Sequence, residues 1–150
     1  MEICYLHEKP EYAAAVAEMM HRQFGDLSSR SAYEELIQHS LTPNQLPMEL
    51  IALENRELIA TVGIWRADLV SRQDLFPWLG CLVVSPAHRG KGYGGAILKA
   101  AVEACRELGF KDVYLYTKLD SFYEKQGWAY IDSGHELDGS LQKIYRLHLG

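Results

Sequence analysis

The most informative segment of the chain is LVVSPAHRGKGYGGAIL, residues 82–98. A strand rich in β-branched residues leads into a turn with four glycines among six residues, next to Arg89 and Lys91, and the turn opens an amphipathic helix. Glycine has no Cβ and tolerates positive φ, so successive N–H groups in such a turn can converge on one anion. The helix start adds unpaired N–H groups and the positive end of its dipole. The segment therefore predicts a phosphate or pyrophosphate site, whereas a merely flexible loop would explain neither the cations nor the immediate helix start.

The segments on either side alternate between strand-like and helix-like patterns. Strands are predicted at residues 3–7, 48–53, 58–65, 78–84, 113–116, 128–131 and 143–148. Helices are predicted from about Pro10 to Phe24 and at residues 31–40, 93–108 and 119–126. This order predicts an α/β domain of the layered α+β kind, with a mixed sheet flanked by helices.

Length and charge limit the classes of function. The 150 residues match one domain, residues 1–150, which is long enough to bury its own core. There are 15 basic and 20 acidic residues, and the net charge of −5 argues against nucleic acid or an anionic membrane as a general partner.

Cysteine usage and the N-terminal residues indicate the compartment. Cys4, Cys81 and Cys105 are widely spaced and form no CxxC pair, so we expect neither a disulfide framework nor a metal site. No signal-peptide pattern is visible, and no apolar run is long enough to span a membrane. We therefore expect a cytoplasmic protein. For the oligomeric state, we expect either a monomer or a homodimer.

A dinucleotide-binding domain is one alternative. Gly90, Gly92 and Gly95 match the G-x-G-x-x-G fingerprint, and Asp120 stands where the ribose-binding acid of that fold is sought. Against it, the turn follows at least three strands instead of opening a βαβ unit, and Pro86 separates the strand from the glycines. Only 55 residues follow Gly95, too few to complete both nucleotide-binding halves. A Walker A pattern is absent.

Two motifs carry a resemblance to a known family. Residues 84–94, VSPAHRGKGYG, resemble motif A of the GNAT superfamily of N-acetyltransferases, and Arg89, Gly92 and Gly94 fall on its defined positions, [Q/R]-x-x-G-x-[G/A]. Residues 122–128, FYEKQGW, resemble the family's "LYEKLGF" signature. A helix, a strand and a short helix are predicted to separate the two motifs, as in the family.

The resemblance implies a fold and a cosubstrate. The fold is a mixed, mostly antiparallel sheet of about seven strands flanked by about four helices, and the cosubstrate is acetyl-CoA, with no metal. A backbone N–H of Val83 or Val84 would polarise the thioester carbonyl, and Tyr123 would protonate the departing thiolate, since a phenol stays protonated at neutral pH. The implied cofactor-binding residues are Leu82, Val83, Val84, Arg89, Gly90, Lys91, Gly92, Tyr93, Gly94 and Gly95.

The chain departs from the family at one cofactor contact. Many members have an asparagine seven residues before the tyrosine, and here that position is Tyr116, followed by Thr117. We expect the hydroxyl of Thr117 to replace the asparagine.

The acceptor side is less sharply indicated. We expect Trp65, Arg72, Asp74, Trp78 and Tyr116 to shape it, because the family's acceptor pocket usually lies at the first helices, the loop after the third strand and central strand ends. Residues 72–78, RQDLFPW, also resemble a stretch that precedes motif A in some GNAT members. Two of these expectations have structural alternatives: Trp78 as a packing residue at a strand start, and Arg72 with Asp74 as a solvated ion pair. The general base is left open among three carboxylates, Glu49, Asp68 and Asp74.

The sequence thus predicts a function and two alternatives. The predicted function is transfer of the acetyl group of acetyl-CoA to a primary amine of a small molecule or peptide, by direct attack in a ternary complex. The net charge of −5 favours a cationic acceptor. The alternatives are a non-catalytic acyl-CoA-binding module of the same fold and the dinucleotide-binding domain.

Overall fold

The computed structural model describes residues 1–26, 29–117 and 121–150, which form one seven-stranded sheet with three α-helices. The helices are α1 (Ala13–Phe24), α2 (Arg30–Gln38) and α3 (Tyr93–Glu107). The strands are β1 (Glu2–Tyr5), β2 (Met48–Glu54), β3 (Glu57–Trp65), β4 (Trp78–Val84), β5 (Asp112–Thr117), β6 (Ala129–His135) and β7 (Leu141–His148). In the described part of the chain, no helix is long and apolar enough to cross a membrane.

The strand order in the sheet is β1-β2-β3-β4-β5-β7-β6. Neighbours are antiparallel except β4 and β5, which are parallel and are registered at Trp78 and Tyr114. A Rossmann sheet is built from parallel βαβ units, so this topology overturns the dinucleotide-binding alternative. Asp120, the acid invoked for it, lies outside the described residues.

Helices cover both faces of the sheet, so there is a hydrophobic core on each face. Alternate side chains of β2 pack into one core and then the other. Leu50 and Ala52 pack on the α3 side with Ile97 and Ala101, because successive side chains of a strand point to opposite faces. Ile51 and Leu53 pack on the other side with residues of α1 and α2. The layered α/β fold with a mostly antiparallel sheet is therefore confirmed.

The helix prediction needs correction after β5. Of the predicted helix 119–126, residues 119 and 120 lie outside the described part, and the rest holds only a 3₁₀ turn, Glu124–Gln126. Gly127 stops the turn at φ 93°, and β6 begins two residues later. Three α-helices, instead of about four, are found in the described residues, together with short 3₁₀ turns.

Two strands end two or more residues away from their predicted ends. The strand predicted at 3–7 ends at Tyr5, because the Tyr5 N–H donates to Glu8 Oε1 at 3.1 Å and a 3₁₀ turn follows. The strand predicted at 128–131 runs from Ala129 to His135, because its polar second half is paired with β7 in a hairpin. The same pairing makes β7 begin at Leu141, two residues before the predicted start.

A β-bulge interrupts β4 in its middle. Thr61 is opposite Val83 and Gly63 is opposite Gly80, so Val62 faces two residues, Cys81 and Leu82. Cys81 has a positive φ of 49°, which is uncommon for a residue other than glycine. The bulge changes the direction of β4 just before its last three residues.

Trp65 lies flat over a pair of glycines that face each other on β3 and β4. A Cβ on Gly63 would be 2.1 Å from Trp65 Nε1, and a Cβ on Gly80 would be 2.6 Å from Trp65 Cε3. The indole therefore occupies space that any other residue at either position would fill.

Gly63→Ala tests this packing. We expect the variant to lower the free energy of unfolding by about 1–3 kcal/mol, because the new methyl group displaces the indole from a filled site. Thermal and urea unfolding measure the change. Gly95→Ala is the matched control: it lies in α3 with nothing within 4 Å of its added Cβ, so its stability should be unchanged or raised by at most about 1 kcal/mol. A Gly63→Ala variant as stable as the wild type would contradict the packing described.

Candidate active site

A cavity of about 580 Å³ opens where β4 and β5 separate. Because the two strands are registered only at Trp78 and Tyr114 among the described residues, the cavity reaches through the sheet from one face to the other. Its α3 side is formed by Val62, Leu79, Leu82, Leu98, Leu115 and Tyr123. Its opposite side is formed by Phe24, Tyr33, Leu36, Trp65, Asp68, Gly80, Cys81, Tyr116 and Glu136.

The glycine turn after β4 has the geometry of an anion site. Gly90 and Gly92 have φ of 79° and 86°, which favour glycine. The first helical hydrogen bond of α3 runs from the Ala96 N–H to the Gly92 carbonyl, so the N–H groups of residues 93–95 have no partner within the helix. A Cβ on Gly90, Gly92 or Gly95 would meet nothing within 4 Å. The turn thus presents backbone N–H groups to open space.

The side chains of the turn take different positions. Arg89 Nε donates to the Val84 carbonyl at 3.0 Å, and Arg89 Nη2 donates to Gln23 Oε1 at 2.7 Å, so this guanidinium ties the end of β4 to α1. The hydroxyl of Tyr93 donates to Glu54 Oε2 at 2.8 Å. Tyr93 therefore offers the turn its N–H and not its phenol. Lys91 is exposed beside the glycines.

Backbone directions in β4 follow from one hydrogen bond. The Ser85 N–H donates to the Ile59 carbonyl at 2.8 Å, and opposite residues of an antiparallel pair alternate between bonded and outward-pointing groups. In this register the backbone N–H and C=O groups of Val83 point toward β3. The N–H of Val84 points away from β3, into the gap between β4 and β5. The N–H of Leu82 has the same direction by alternation, and Leu82 also lines the cavity.

Tyr123 stands at the α3 side of the gap. Its ring contacts those of Trp128 and Tyr145, at centroid distances of 6.1 and 6.3 Å, and its half-buried position raises the pKa of the phenol. The phenol therefore stays protonated at neutral pH. Thr117, the other predicted residue near this point, pairs with Lys143 at the end of β5.

Two carboxyl groups on the opposite side of the cavity have different environments. Burial, with a smaller contribution from the charge of Glu136, raises the pKa of Asp68 to about 7. Hydrogen bonds from the Ser140 hydroxyl at 2.6 Å and the Gln142 amide at 2.9 Å lower the pKa of Glu136. Asp68 can therefore exchange a proton near neutral pH, whereas Glu136 keeps its negative charge.

The other two carboxylates considered as a base are placed differently. Glu49 is 1% exposed, behind the cavity wall, and burial raises its pKa to about 8 against the smaller opposing effects of the neighbouring Thr61 hydroxyl and Trp65 indole. Asp74 is exposed and accepts two hydrogen bonds from Arg72, which lower its pKa. Of the three carboxylates, only Asp68 lines the cavity.

The predicted acceptor residues separate into two groups. Trp65 and Tyr116 line the cavity. Arg72 and Asp74 form an ion pair at 2.9 Å outside it, and Arg72 also contacts Asp132 on β6 at 3.1 Å. Trp78 is fully buried: its indole N–H donates to the Leu75 carbonyl at 2.8 Å and its ring packs against Tyr116.

Several cavity residues are not among the sequence predictions. Tyr33 and Phe24 come from the first two helices, Cys81 from the bulge, and Glu136 from the turn after β6. Tyr33, Phe24 and Glu136 are distant in sequence from Cys81 and the glycine turn, and only the fold brings them together. Within residues 1–26, 29–117 and 121–150, no group of three or more His, Cys, Asp or Glu is placed to hold a metal ion.

Comparison with known proteins identifies the family and supports the fold. Residues 13–128 match the model of the acetyltransferase (GNAT) family. Among solved structures, the chain is similar to aminoglycoside 6'-acetyltransferase type Ii, with a TM-score of 0.76 and 18% identity over 100% of this chain and 98% of that one. An aminoglycoside 6'-N-acetyltransferase complexed with coenzyme A gives 0.77 and 14% over 100% and 98%. An acetyltransferase of the GNAT family from Streptococcus pneumoniae gives 0.70 and 18% over 99% and 100%.

The burial of Glu49 predicts a pH dependence of stability. Between pH 4.5 and about 8 the carboxyl is ionised in the unfolded chain and protonated in the fold, so its contribution to stability is complete below that window and is lost as the pH rises through it. Glu49→Gln removes this loss. We expect its free energy of unfolding, measured by urea unfolding, to exceed that of the wild type by an amount that grows from pH 5 to 8, on the order of a few kcal/mol at the upper end.

Glu57→Gln provides the control, because Glu57 is an exposed carboxylate on the neighbouring strand. Its unfolding curves should follow those of the wild type across the same range. A constant difference between Glu49→Gln and the wild type at every pH would rule out a protonated Glu49 in the fold.

Proposed function

The chain belongs to the acetyltransferase (GNAT) family, and from that premise we propose that it transfers the acetyl group of acetyl-CoA to a primary amine of a small cationic molecule. The observation that carries the proposal is the cavity through the sheet, which joins the side of α3 and Tyr123 to the side of Asp68 and Glu136. Its volume is within the range of small-molecule sites.

The α3 side of the cavity suits the cosubstrate. The N–H groups of residues 90–95 would bind the pyrophosphate, since unpaired N–H groups at a helix start favour phosphate. The backbone of β4 would pair with the amides of the pantetheine arm, because Val84 and Leu82 direct N–H groups into the gap. Because glycine has no side chain, the space beside Gly90, Gly92 and Gly95 is open to a ligand.

The chemical step needs one base, one oxyanion donor and one acid. A neutral amine attacks the thioester carbonyl and forms the C–N bond, while the developing oxyanion accepts a hydrogen bond from a β4 N–H. Leu82 fits that donor role best, because it lines the cavity and its N–H points into the gap, and the N–H of Val84 follows on the same side. The C–S bond then breaks, and the thiolate takes the proton of Tyr123. The attacking nitrogen gives up its excess proton to the Tyr123 phenolate, so the amide is neutral and the phenol is restored.

Asp68 is the base of this proposal. An amine reaches the enzyme as an ammonium ion, and a carboxylate whose pKa is about 7 can remove its proton near neutral pH. Asp68 lines the cavity, whereas Glu49 lies behind the wall and Asp74 is held outside by Arg72.

The acceptor side favours a cation. Among the described residues that line the cavity, the charged ones are Asp68 and Glu136, and none is basic. The rings of Tyr33, Trp65 and Tyr116 surround the same space, and aromatic faces attract ammonium groups. The fixed charge of Glu136 would hold the cationic acceptor, while Asp68 exchanges the proton.

Acetyl-CoA-dependent thiol release with a panel of amines tests the function. We expect turnover with at least one cationic amine, and we expect Tyr123→Phe to lower kcat roughly 100-fold, the scale of general acid catalysis. The affinity for CoA, measured by calorimetry, should stay within about twofold, because the ring remains in place.

Tyr130→Phe is the matched control, since Tyr130 is exposed on β6 and away from the cavity. It should turn over like the wild type. Binding of CoA without turnover on any amine would instead support the acyl-CoA-binding module. An unchanged kcat in Tyr123→Phe would remove Tyr123 from the chemical step.

Asp68→Asn tests the base. In the wild type, kcat/KM for the amine should rise with pH through about 7 as Asp68 loses its proton. In Asp68→Asn that limb should disappear, and kcat/KM should fall by roughly 100-fold at pH 8. The measurement is the pH profile of kcat/KM for the acceptor at saturating acetyl-CoA. Asp132→Asn, at an exposed carboxylate of β6, should keep the wild-type profile, and a wild-type profile in Asp68→Asn would contradict the assignment.

A further inference from the structure

We propose that Glu49 is a positioning residue, which fixes the indole of Trp65 by its N–H edge and so sets the cavity wall beside Asp68. The inference rests on the proposed function, because it assigns an influence on amine binding to a residue that does not line the cavity itself.

A row of positions across three strands places these groups side by side. Glu49 on β2 is opposite Gly63 on β3, and Gly63 is opposite Gly80 on β4. Directly opposite residues share a face of the sheet, so Glu49 lies next to the glycine pair that Trp65 covers. The Nε1 edge of the indole is over Gly63, the glycine nearer Glu49, and the benzene edge is over Gly80.

Asp68 stands at the far end of the same row. A Cβ on Gly80 would be 3.1 Å from the carboxyl carbon of Asp68 and 2.7 Å from the indole atom Cζ3 of Trp65. The benzene edge of Trp65 and the carboxyl of Asp68 therefore occupy adjacent space over one glycine. A sideways shift of the indole would change the space that Asp68 and an amine share.

Counting hydrogens shows how Glu49 is bonded. Thr61 Oγ1 is 2.5 Å from Glu49 Oε2 and 2.9 Å from the Leu50 carbonyl oxygen. A hydroxyl has one hydrogen and a carbonyl only accepts, so both contacts are hydrogen bonds when Thr61 donates to Leu50 and a protonated Glu49 donates to Thr61. The other oxygen, Glu49 Oε1, is then the carbonyl oxygen of a carboxylic acid and is an acceptor.

Trp65 supplies the matching donor. In the described structure, Glu49 Oε1 and Trp65 Nε1 are both buried without a hydrogen bond of ordinary geometry, and the indole is close enough to influence the carboxyl. An indole N–H only donates, so the two atoms are complementary. Because the ring lies over glycines, no Cβ beneath it limits sliding, and in the proposed arrangement a hydrogen bond from Trp65 Nε1 to Glu49 Oε1 fixes its edge.

Two substitutions of Glu49 separate the role from general packing. Glu49→Gln keeps the pattern of a protonated acid, with an amide oxygen toward Trp65 and an N–H toward Thr61. Glu49→Leu keeps the apolar volume and removes both bonds. We expect Glu49→Leu to raise KM for the amine at least tenfold and to leave KM for acetyl-CoA within twofold, while Glu49→Gln stays within threefold of the wild type in both.

Trp65→Phe completes a double-mutant cycle, because it removes the indole N–H and keeps an aromatic ring. The effects of Glu49→Leu and Trp65→Phe on kcat/KM for the amine should not add: the double variant should lose about as much as the more damaged single variant. Additive losses would overturn the proposal. Equal damage from Glu49→Gln and Glu49→Leu would also overturn it, since it would show that Glu49 acts as an ion.

A spectroscopic measurement decides the question independently of acetyl transfer. The indole N–H resonance of Trp65, assigned by its loss in ¹⁵N-labelled Trp65→Phe, should exchange with solvent at least tenfold faster in Glu49→Leu and be little changed in Glu49→Gln. Where no amine is acetylated, the proposed function fails while this measurement still tests the contact. Where Glu49→Leu does not fold, the protection of the resonance in the wild type and in Glu49→Gln carries the test. Rapid exchange in both, or unchanged exchange in a folded Glu49→Leu, would overturn the proposal.

Discussion

The separation of β4 from β5 is the constraint on which the rest of the structure depends. A parallel neighbour would ordinarily take up the outward N–H and C=O groups of β4, but the two strands are registered at Trp78 and Tyr114 and then part. The bulge at Cys81 turns the last residues of β4 within this opening. Backbone groups that a sheet normally satisfies internally are thereby available inside the fold.

The two sides of the opening carry groups of opposite polarity. On the α3 side, glycines and a helix start present N–H dipoles, which suit an anion. On the other side, Asp68 and Glu136 present carboxyl groups among aromatic rings, which suit a cation. The net charge of −5 averages over both, so the overall charge describes neither half of the site.

Local features could be predicted from the sequence, and features that depend on strand register could not. The glycine turn and the helix that begins at Tyr93 each depend on residues that are consecutive in the sequence. The predicted helix therefore agrees with the observed one to its last turn. The motifs at residues 84–94 and 122–128 predicted the family, which the family model confirms. The row of Glu49, Gly63 and Gly80 joins three strands, and its members become neighbours only through pairing. Likewise, Glu136 and Tyr33 reach the cavity from opposite ends of the chain.

The contact between Trp78 and Tyr114 also gives the sheet a mechanical character. Strands β1–β4 form one antiparallel unit and β5–β7 form another, and the two units share this point, where the buried Trp78 ring packs on Tyr114 and Tyr116. Side-chain packing, including the core that α3 shares with both units, holds this joint together more than a ladder of hydrogen bonds does. A molecule bound along β4 would act as a brace between two half-sheets.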